Sequence, residues 1–550
     1  MSSRPGAKGT WLFALPVLVL LLWTVVYPNA SIIVGSFEHG LRSWRAFASS
    51  PTDREALRTT LVIAIGSVIA SVAVGLPLAF LLTRVEFRGR RLLSVVATLP
   101  AALPPLVGVV AFLFLYGESG VVTRGVQTLF GLDHAPWTLN GAGAIIFVHA
   151  YTMYVYVFLF VSAGLERLDS SLDDAASGLG ASRSFRLRRV TLPLLTPAIA
   201  GSMLLVFMSA LGSFSAPYIF GGGLRVLSTQ IVASKLNGAM DLAYVETTVL
   251  AVGAIAALIL LRWFERRRTY AVSSKGSAVR SRLQSPTARA LAPILGAALV
   301  VILVSFARDG TWTTQVLPPE YTLDNFRRLA TDNELWVPIW NSVSMTAIAT
   351  ALDIVVCFLA AYLLVLRRFR VRWLLAILVA LPWAIPGTAI AIGLASTFDR
   401  NSLLGARVLL VGTFWILPLA YFVRGIPLVS SATEGSLRQM DPSLEDAARG
   451  LGASWWLTMR RVVLPAARPG LVAGAMLAGI TAVGEFVASI VLFTHANRPI
   501  SMEILSQLRN FAFGTAAAFS VVLIALVLAI TLIARWAEGR WTRAQAVVIQ

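Results

Sequence analysis

The chain is dominated by about twelve apolar stretches, each long enough to cross a lipid bilayer as an α-helix. A spanning helix needs about 20 predominantly apolar residues. Charged residues make up only 13% of the chain, whereas soluble domains contain about 25%. The sequence therefore predicts an all-α polytopic protein of the cell (inner) membrane. The predicted spans lie near residues 11–34, 57–83, 92–116, 141–165, 194–220, 244–263, 289–307, 339–366, 373–396, 405–428, 466–493 and 514–535.

Charge in the loops predicts which side of the membrane each loop faces. A net charge of +19 would suggest nucleic acid in a soluble domain, but arginines kept in cytoplasmic loops explain it here. This bias predicts that both termini are cytoplasmic, and no nucleic-acid partner is expected. Arg4 and Lys8 precede the first span as in a signal peptide, but the apolar run continues past a poor cleavage site, so a retained helix is expected. The arginine-rich loops lie at 84–91, 183–189, 264–282 and 367–372.

Several kinds of chemical site are not expected in this chain. Cys357 is the single cysteine, and the four histidines lack the spacing of metal ligands. The sequence has no glycine-rich Lys-Ser/Thr loop for nucleotide phosphates. We therefore expect no disulfide, no metal, no resident cofactor and no catalytic residue.

Two polar, basic segments recur almost unchanged. They cover residues 169–197 (the first island) and 441–469 (the second island). Asp174 corresponds to Asp446, 272 residues later, and the Ala-Ala, Gly and Leu-Pro that follow keep the same spacing. A polar surface that occurs twice in a membrane protein predicts two docking sites for a partner present in two copies.

The repeat extends beyond the islands and divides the chain into halves. Residues 209–214 are echoed by 481–486 at the same offset of 272. A basic stretch containing Ser, Gly and Pro has the composition of a flexible linker. Each half holds an even number of predicted spans, so the two copies are parallel repeats. The predicted domains are a first half at 1–263, a linker at 264–288 and a second half at 289–550.

Each island is predicted to begin with a short helix. In the first island, Ser170 or Ser171 can cap the helix, and Asp173 and Asp174 lie in its first turn, near the positive end of the helix dipole. Gly180 suits the left-handed position that ends a helix. An ordinary amphipathic loop at the membrane surface is the alternative, and the repetition of the pattern favours a docking element.

The islands resemble the EAA loop of ABC-importer permeases, with Asp where that family usually has Glu. The resemblance covers almost the whole chain and implies two fused type I permease halves, with EAA-like loops at 166–193 and 438–465. In that family the loop forms a coupling helix seated in a cleft of the cytoplasmic ATPase. The matching residues are Asp174, Ala175, Ala176, Gly180, Val190, Leu192 and Pro193, and again Asp446, Ala447, Ala448, Gly452, Val462, Leu464 and Pro465.

The resemblance also implies the partners and the cargo class. A separate ABC ATPase, as a homodimer carrying Mg-ATP, would dock at both islands, and a solute-binding protein would deliver cargo from the other side. Closure of the ATPase would drive alternating access by biasing a two-state permease. The chain is similar to the permeases for iron(III), thiamine and aminoalkylphosphonate, and the segments beginning at Gly212 and Ser228 resemble iron(III) permeases.

A candidate transport path is suggested by polar residues and breaks within the spans. Glu485 is predicted in the middle of the eleventh span, where a carboxylate costs at least about 2.5–3.5 kcal/mol unless it faces water or protein. It either lines the path or is hydrogen-bonded between helices for structure. Prolines near residues 100–105 and 382–386 are predicted to break the third and ninth spans. The candidate path residues are Gly212, Ser213, Phe214, Gly484, Glu485 and Phe486.

Three functional classes are compatible with this pattern. The first is the permease of an ATP-driven, binding-protein-dependent importer for ferric iron, or alternatively for thiamine, aminoalkylphosphonate or polyamine. The second is a twelve-span secondary transporter, which would not need a polar island inside each half. The third is a membrane scaffold or signalling protein, which would not need broken helices or Glu485. The islands favour the first class.

Overall fold

The chain folds into α-helices connected by short loops. Within the part that the computed structural model describes, ten helices are long and apolar enough to span a membrane, and one bent helix pair raises the number to eleven. Helices satisfy every backbone hydrogen bond within the span, which lipid requires. The predicted all-α polytopic fold is confirmed. The described residues are 7–102, 104–168, 175–267, 281–282, 292–312, 315–399, 409–441 and 443–548.

The helices and strands before residue 310 include two runs in which consecutive helices continue one another. A π-helical turn at Leu22–Val26 joins the first two helices, and another at Leu187–Thr191 joins α9 to α10. The elements are α1 (Ala7–Leu21), α2 (Tyr27–Gly35), α3 (Arg42–Ser49), α4 (Pro51–Arg84), β1 (Val85–Glu86), α5 (Arg90–Ala102), α6 (Pro105–Tyr116), α7 (Val121–Phe130), α8 (Gly141–Arg167), α9 (Arg183–Arg186), α10 (Leu192–Leu211), α11 (Ser215–Phe220), α12 (Leu227–Leu236), α13 (Met240–Arg267), β2 (Ser281–Arg282) and α14 (Ala292–Ser305). The two strands pair in parallel.

The elements after residue 310 repeat this order. A third π-helical turn, Met459–Val463, joins α21 to α22. The elements are α15 (Asp324–Thr331), α16 (Asn333–Leu366), α17 (Arg372–Ala384), α18 (Gly387–Thr397), α19 (Ile416–Arg438), α20 (Ser443–Gly450), α21 (Trp455–Thr458), α22 (Leu464–Val483), α23 (Val487–Leu492), α24 (Ile500–Arg509) and α25 (Phe513–Val548). α4 and α16 both have 34 residues, and α12 and α24 both have 10.

The chain forms two compact units. One unit contains Trp44–Thr322, and the other contains Met1–Ser43 together with Leu323–Gln550. The first span of each sequence half therefore packs with the helices of the other half. In one unit α2 packs against α18, and in the other α14 packs against α6. The predicted halves follow the repeat, whereas these units follow packing, and the predicted linker lies largely outside the described residues.

Each unit has a core of three long helices. α4, α8 and α10 pack together in one unit, and α16, α19 and α22 occupy the same positions in the repeat of the other. Small residues let the helices approach closely, as is usual in membrane bundles. A Cβ at Gly75 of α4 would lie 2.6 Å from the Tyr154 carbonyl oxygen of α8, and one at Gly474 of α22 would lie 2.7 Å from the Val429 Cα of α19.

Prolines interrupt the third and ninth predicted spans, as expected. α5 ends at Ala102 and α6 begins at Pro105. α17 ends at Ala384 and α18 begins at Gly387, and the two axes are bent by 111°. A proline has no N–H to donate and disfavours helical geometry in the residue before it, so these helices end close to their prolines.

The fifth, tenth and eleventh predicted spans have other limits in the structure. The fifth and eleventh are not continuous, because α10 ends at Leu211 and α22 ends at Val483. Glu485 consequently lies between two helices, and its prediction in the middle of a helix is wrong. The tenth span begins only at Ile416, after a turn with Gly412 at φ +82°, and it continues to Arg438. Its two arginines, Arg424 and Arg438, form ion pairs with Glu485 and Glu434.

Candidate functional site

Both islands contain a short helix that ends at a left-handed glycine. Gly180 and Gly452 have φ angles of +80° and +81°, so the predicted helix-ending geometry is confirmed at both. The N–H of Ala181 donates to the Ala176 carbonyl oxygen at 3.0 Å, and the N–H of Ala453 donates to that of Ala448 at 3.0 Å. This is the hydrogen-bond pattern of a Schellman helix end. The repeat in sequence is therefore a repeat in backbone geometry.

The beginning of the short helix is described only in the second island. There α20 begins at Ser443, whose N–H donates to an Oδ of Asp441 at 2.9 Å, and this backbone hydrogen bond lowers the pKa of Asp441. Glu445 and Asp446 lie in the first turn, where the helix dipole favours carboxylates. In the first island, Asp174 and the expected serine caps lie outside the described residues.

The docking residues expected from the sequence are largely accessible. Ala175, Asp446 and Ala447 are exposed. A matched pair of leucines, which sequence reasoning missed, is more exposed still: Leu179 is 89% exposed and Leu451 is 90% exposed. Each leucine comes directly before the left-handed glycine, so the same apolar side chain is accessible at the same point of both islands.

Within each island, a π-helical turn connects the short helices to the long helix that follows. In both copies the turn ends directly before the Leu-Pro pair. The N–H of the leucine donates to the carbonyl oxygen five residues earlier, from Leu192 to Leu187 in the first copy and from Leu464 to Met459 in the second. Pro193 and Pro465 cannot donate a backbone hydrogen bond to the preceding turn, so the helix takes a wider turn before them. The Leu-Pro pairs therefore fix the point at which each island joins a membrane helix.

The second break segment, residues 484–486 between α22 and α23, contains a buried ion pair. Glu485 is 5% exposed, and its Oε2 lies 2.9 Å from Nε of Arg424 on α19, whose side chain is 27% exposed. Oε1 of Glu485 accepts a hydrogen bond from the Ala488 N–H at 2.9 Å. The Arg424 guanidinium occupies the space that a side chain at Gly387, the first residue of α18, would need. The pair thus contacts the broken ends of two helices.

The first break segment, residues 212–214 between α10 and α11, is neutral. Ser213 corresponds to Glu485, and its Oγ lies 2.9 Å from Nε2 of His149. Nδ1 of His149 lies 2.8 Å from Oγ of Ser67 on α4. His149 therefore connects α8 to α4 and to the first break segment. The two halves therefore have different polar chemistry at one position of the repeat.

The backbone around the two break segments is held in the same way. The hydroxyl of Ser228 donates to the Ser213 carbonyl oxygen at 2.6 Å, and that of Ser501 donates to the Glu485 carbonyl oxygen at 2.8 Å. The first N–H of α12 donates to the hydroxyl of Thr60 at 2.9 Å, and that of α24 donates to the hydroxyl of Ser342 at 2.8 Å. Both copies of the repeat therefore stabilise the break with matching hydrogen bonds.

The other candidate path residues occupy different environments. Phe214 is 1% exposed and Phe486 is 2% exposed, and Gly484 is also buried. Gly212 and Ser213 are partly exposed. Sequence reasoning missed Arg424, although an arginine and a glutamate in two different apolar spans form the kind of complementary pair that burial requires.

The chain is similar to transport proteins over most of its length. The family model described as binding-protein-dependent transport system inner membrane component matches residues 71–270 and again residues 353–543. A probable ABC transporter permease protein, y4fN, of Sinorhizobium fredii is 30% identical over 502 residues, covering 88% of this chain and 87% of that protein. The ferric transport system permease protein FbpB of Actinobacillus pleuropneumoniae is 25% identical over 547 residues, covering 96% of this chain and 78% of that protein.

Other similar proteins match one part of the chain. A probable molybdenum ABC transporter permease protein of Haloferax volcanii is 34% identical over 208 residues, covering 38% of this chain and 73% of that protein. A solved bacterial alginate ABC transporter has a TM-score of 0.43 and 21% identity, covering 47% of this chain and 96% of that one. The family model, by contrast, matches more than half of the chain, once in each sequence half. The chain therefore belongs to the binding-protein-dependent transport system inner membrane components and is the permease of an ABC importer, with both halves fused.

Proposed function

We propose that the chain is the inner-membrane permease of a ferric-iron importer, driven by a separate ATPase that docks at the two islands. The ATPase would be a homodimer carrying Mg-ATP, with one subunit at each island. A solute-binding protein would deliver the cargo from the opposite side of the membrane. In this arrangement the chain itself supplies the gated path, and the partner supplies the energy.

The matched exposed leucines carry the docking proposal. Leu179 and Leu451 occupy one position of the repeat, next to a rigid glycine helix end, and each is about nine-tenths exposed. Burial of a leucine is worth about 1.5–3 kcal/mol, so a partner that covers both would gain binding free energy from each. The same exposed leucine in both islands suits an ATPase with two identical subunits.

The orientation of the islands is inferred from charge. Arg188 and Arg189 of the first island and Arg460 and Arg461 of the second lie in the π-helical turns, next to a membrane helix. Arginines in short loops are retained in the cytoplasm. The islands and both termini would then face the cytoplasmic ATPase.

Ferric iron is proposed as cargo because relatives named as ferric permeases match nearly the full length of the chain. FbpB of Actinobacillus pleuropneumoniae aligns with 96% of this chain, whereas the molybdenum permease, which aligns over 73% of its own length, matches 38% of this chain. The break segments would form the path, with Ser213 and Glu485 as its polar contacts. Path residues of this kind need only pass a cargo that the binding protein has already selected.

An oxyanion such as molybdate is the second candidate cargo. Of the Arg424–Glu485 pair, the arginine is the more exposed member, at 27% against 5%. The guanidinium is therefore the member of this neutral pair that a passing oxyanion can contact. Measuring both cargoes decides between the two candidates.

The docking proposal is tested with the double variant L179S/L451S. The chain is co-reconstituted with its ATPase and binding protein in vesicles, and ATP-driven uptake of radioactive ferric iron is measured beside uptake of radioactive molybdate. We expect the variant to lose uptake at least about tenfold and to retain less ATPase on purification, since each lost apolar contact costs about 1.5–3 kcal/mol.

The matched control is L236S, because Leu236 at the end of α12 is 78% exposed but lies outside both islands. It should transport as the unaltered chain does. Equal ATPase retention and uptake in L179S/L451S and L236S would refute docking at the islands. Concentrative uptake driven by a proton or sodium gradient, with no ATPase present, would refute the ATP-driven importer itself.

A further inference from the structure

The short helix of the second island is tied to the end of a membrane helix by a buried polar cluster. Glu445 of α20 accepts hydrogen bonds on one carboxylate oxygen from Arg367, which directly follows α16, and from Arg449 at 2.6 Å. The side chains of Arg367 and Glu445 are only 12% and 8% exposed. A buried carboxylate shared by two arginines fixes the orientation of the helix that carries it.

A tyrosine of α16 completes this anchor. The hydroxyl of Tyr362, a residue that is 2% exposed, accepts a hydrogen bond from Nε of Arg367 at 2.8 Å. It also accepts one from Nε1 of Trp455 on α21 at 3.1 Å. Both short helices of the second island are therefore connected to the last turn of α16. Movement of this island must move α16 or break the cluster.

The residues of this anchor are not repeated in the first half. α4 and α16 correspond at an offset of 282, which places Phe80 at the position of Tyr362 and Val85 at the position of Arg367. The islands correspond at an offset of 272, which places Ser177 at the position of Arg449. The first half keeps an acid, Asp173, at the position of Glu445, but a phenylalanine, a valine and a serine take the other three positions, so neither arginine is repeated.

We propose that the two islands are mechanically unequal: the second is rigidly coupled to α16 through Glu445, Arg367 and Tyr362, and the first lacks this coupling. ATPase movement would then reach the permease mainly through the second island. This inference rests on the proposed docking of an ATPase at the islands. The anchor itself can be tested in the chain alone.

The first test is hydrogen exchange of the full chain in lipid nanodiscs, without ATPase or cargo. The variant Y362F/R367V gives the second half the residues of the first half. A charge-assisted hydrogen bond is strong enough that its loss should speed exchange of the α20 amides about tenfold or more. Exchange within twofold of the unaltered chain would overturn the anchor.

The matched control is E434Q, which removes the ion pair between Glu434 and Arg438 on α19, whose arginine is 66% exposed. This variant should leave exchange in α20 unchanged, and an equal increase would mean that any lost ion pair loosens the island. If Y362F/R367V does not fold, Y362F alone removes only the hydroxyl that Arg367 and Trp455 share, and a smaller but clear increase is expected.

The second test measures cargo transported per ATP hydrolysed, with radioactive ferric iron as the probe. Y362F/R367V should lower this ratio about fivefold or more, the scale of a typical coupling energy, while ATPase binding stays within twofold. F80L/V85L, the matched change in the first half, should leave the ratio within twofold. Equal losses in both variants would overturn the inequality. Absence of ATP-driven uptake by the unaltered chain would instead refute the proposed function, whatever hydrogen exchange shows about the anchor.

Discussion

Arg424 and Glu485 form a compensated ion pair inside the helical part of the second half. Arg424 lies in the middle of α19, and its partner Glu485 lies in a break 61 residues later. Desolvating either charge alone is costly in a membrane interior. The break in the eleventh span lets Glu485 cap α23 through Ala488 and neutralise Arg424 at the same time.

Removal of the arginine should therefore harm folding more than removal of the glutamate. R424Q leaves Glu485, which is 5% exposed, without a counter-ion, and we expect a loss of about 3 kcal/mol in the free energy of unfolding. E485Q leaves the more exposed arginine, and glutamine keeps an oxygen for the Ala488 N–H, so a loss of about 1–2 kcal/mol is expected. Thermal unfolding in detergent can be followed by dye labelling of Cys357, the single cysteine, which is buried.

The double variant R424Q/E485Q tests whether the two residues act as a pair. It should be more stable than R424Q, because no unpaired charge remains. S213A at the corresponding position of the first half breaks only a hydrogen bond to His149 and should cost about 1 kcal/mol. Stability losses in R424Q and E485Q that simply add in the double variant would show that the pair is not coupled.

The sequence predicts a charge in the eleventh span but not how that charge is satisfied. Glu485 and the nearby Gly484 are local signals, and an intramembrane carboxylate must have a partner. The identity of the partner depends on which face of α19 meets the break, and this is decided by packing at residues such as Gly387. Tertiary contacts of this kind have no local signature, which is why Arg424 was missed.

At the scale of elements, each island depends on a glycine helix end. No atom lies within 4 Å of a Cβ built at Gly180 or Gly452, so space does not prevent substitution. The φ angles of +80° and +81° do, because a left-handed conformation costs an ordinary residue about 1–2 kcal/mol. A substitution would therefore change only the direction in which the backbone leaves the helix.

G180A/G452A should therefore impair transport without preventing membrane insertion. A cost of about 1–2 kcal/mol lowers the population of each correctly ended helix about five- to thirtyfold, and ATP-driven uptake should fall by at least about fivefold. G178A/G450A is the matched control, since these glycines lie two residues earlier in the helix and also have open space around them. Asparagine tolerates the left-handed region, so G180N/G452N should recover much of the uptake. Normal uptake in G180A/G452A would show that the glycine geometry is not needed.

Elements whose limits are set by local chemistry were predictable from the sequence. Gly180, Gly452 and the prolines at the breaks restrict the backbone by themselves, so their positions could be read directly. The ends of α10 and α22 were not predicted, because an apolar sequence continues across both breaks. At each break, a carbonyl oxygen accepts a hydrogen bond from a serine hydroxyl of another helix: Ser213 from Ser228, and Glu485 from Ser501. These tertiary contacts have no local signal in the sequence.

At the scale of the whole molecule, the order of the chain and the order of packing differ. The repeat predicts two successive halves, whereas the compact unit that contains the second half also contains Met1–Ser43. The contacts that hold this segment are ordinary: Trp23 packs edge-on against Phe398 with ring centroids 5.0 Å apart, and Ser31 lies beside Ser396. No sequence motif indicates that the first span packs with the second half, since any apolar helix could make contacts of this kind.

A cross-link tests this exchange directly. The Oγ atoms of Ser31 on α2 and Ser396 on α18 are 3.1 Å apart, so S31C/S396C in a C357A background should form a disulfide on mild oxidation. With a protease site introduced within residues 268–280, cleavage should give two fragments that stay joined without reductant and separate with it. S36C/S396C is the matched control, because Ser36 lies one turn or more further along, about 7.5 Å away by the helical rise. Fragments that separate equally in both variants would mean that the first span packs elsewhere, and the division into exchanged units would have to be abandoned.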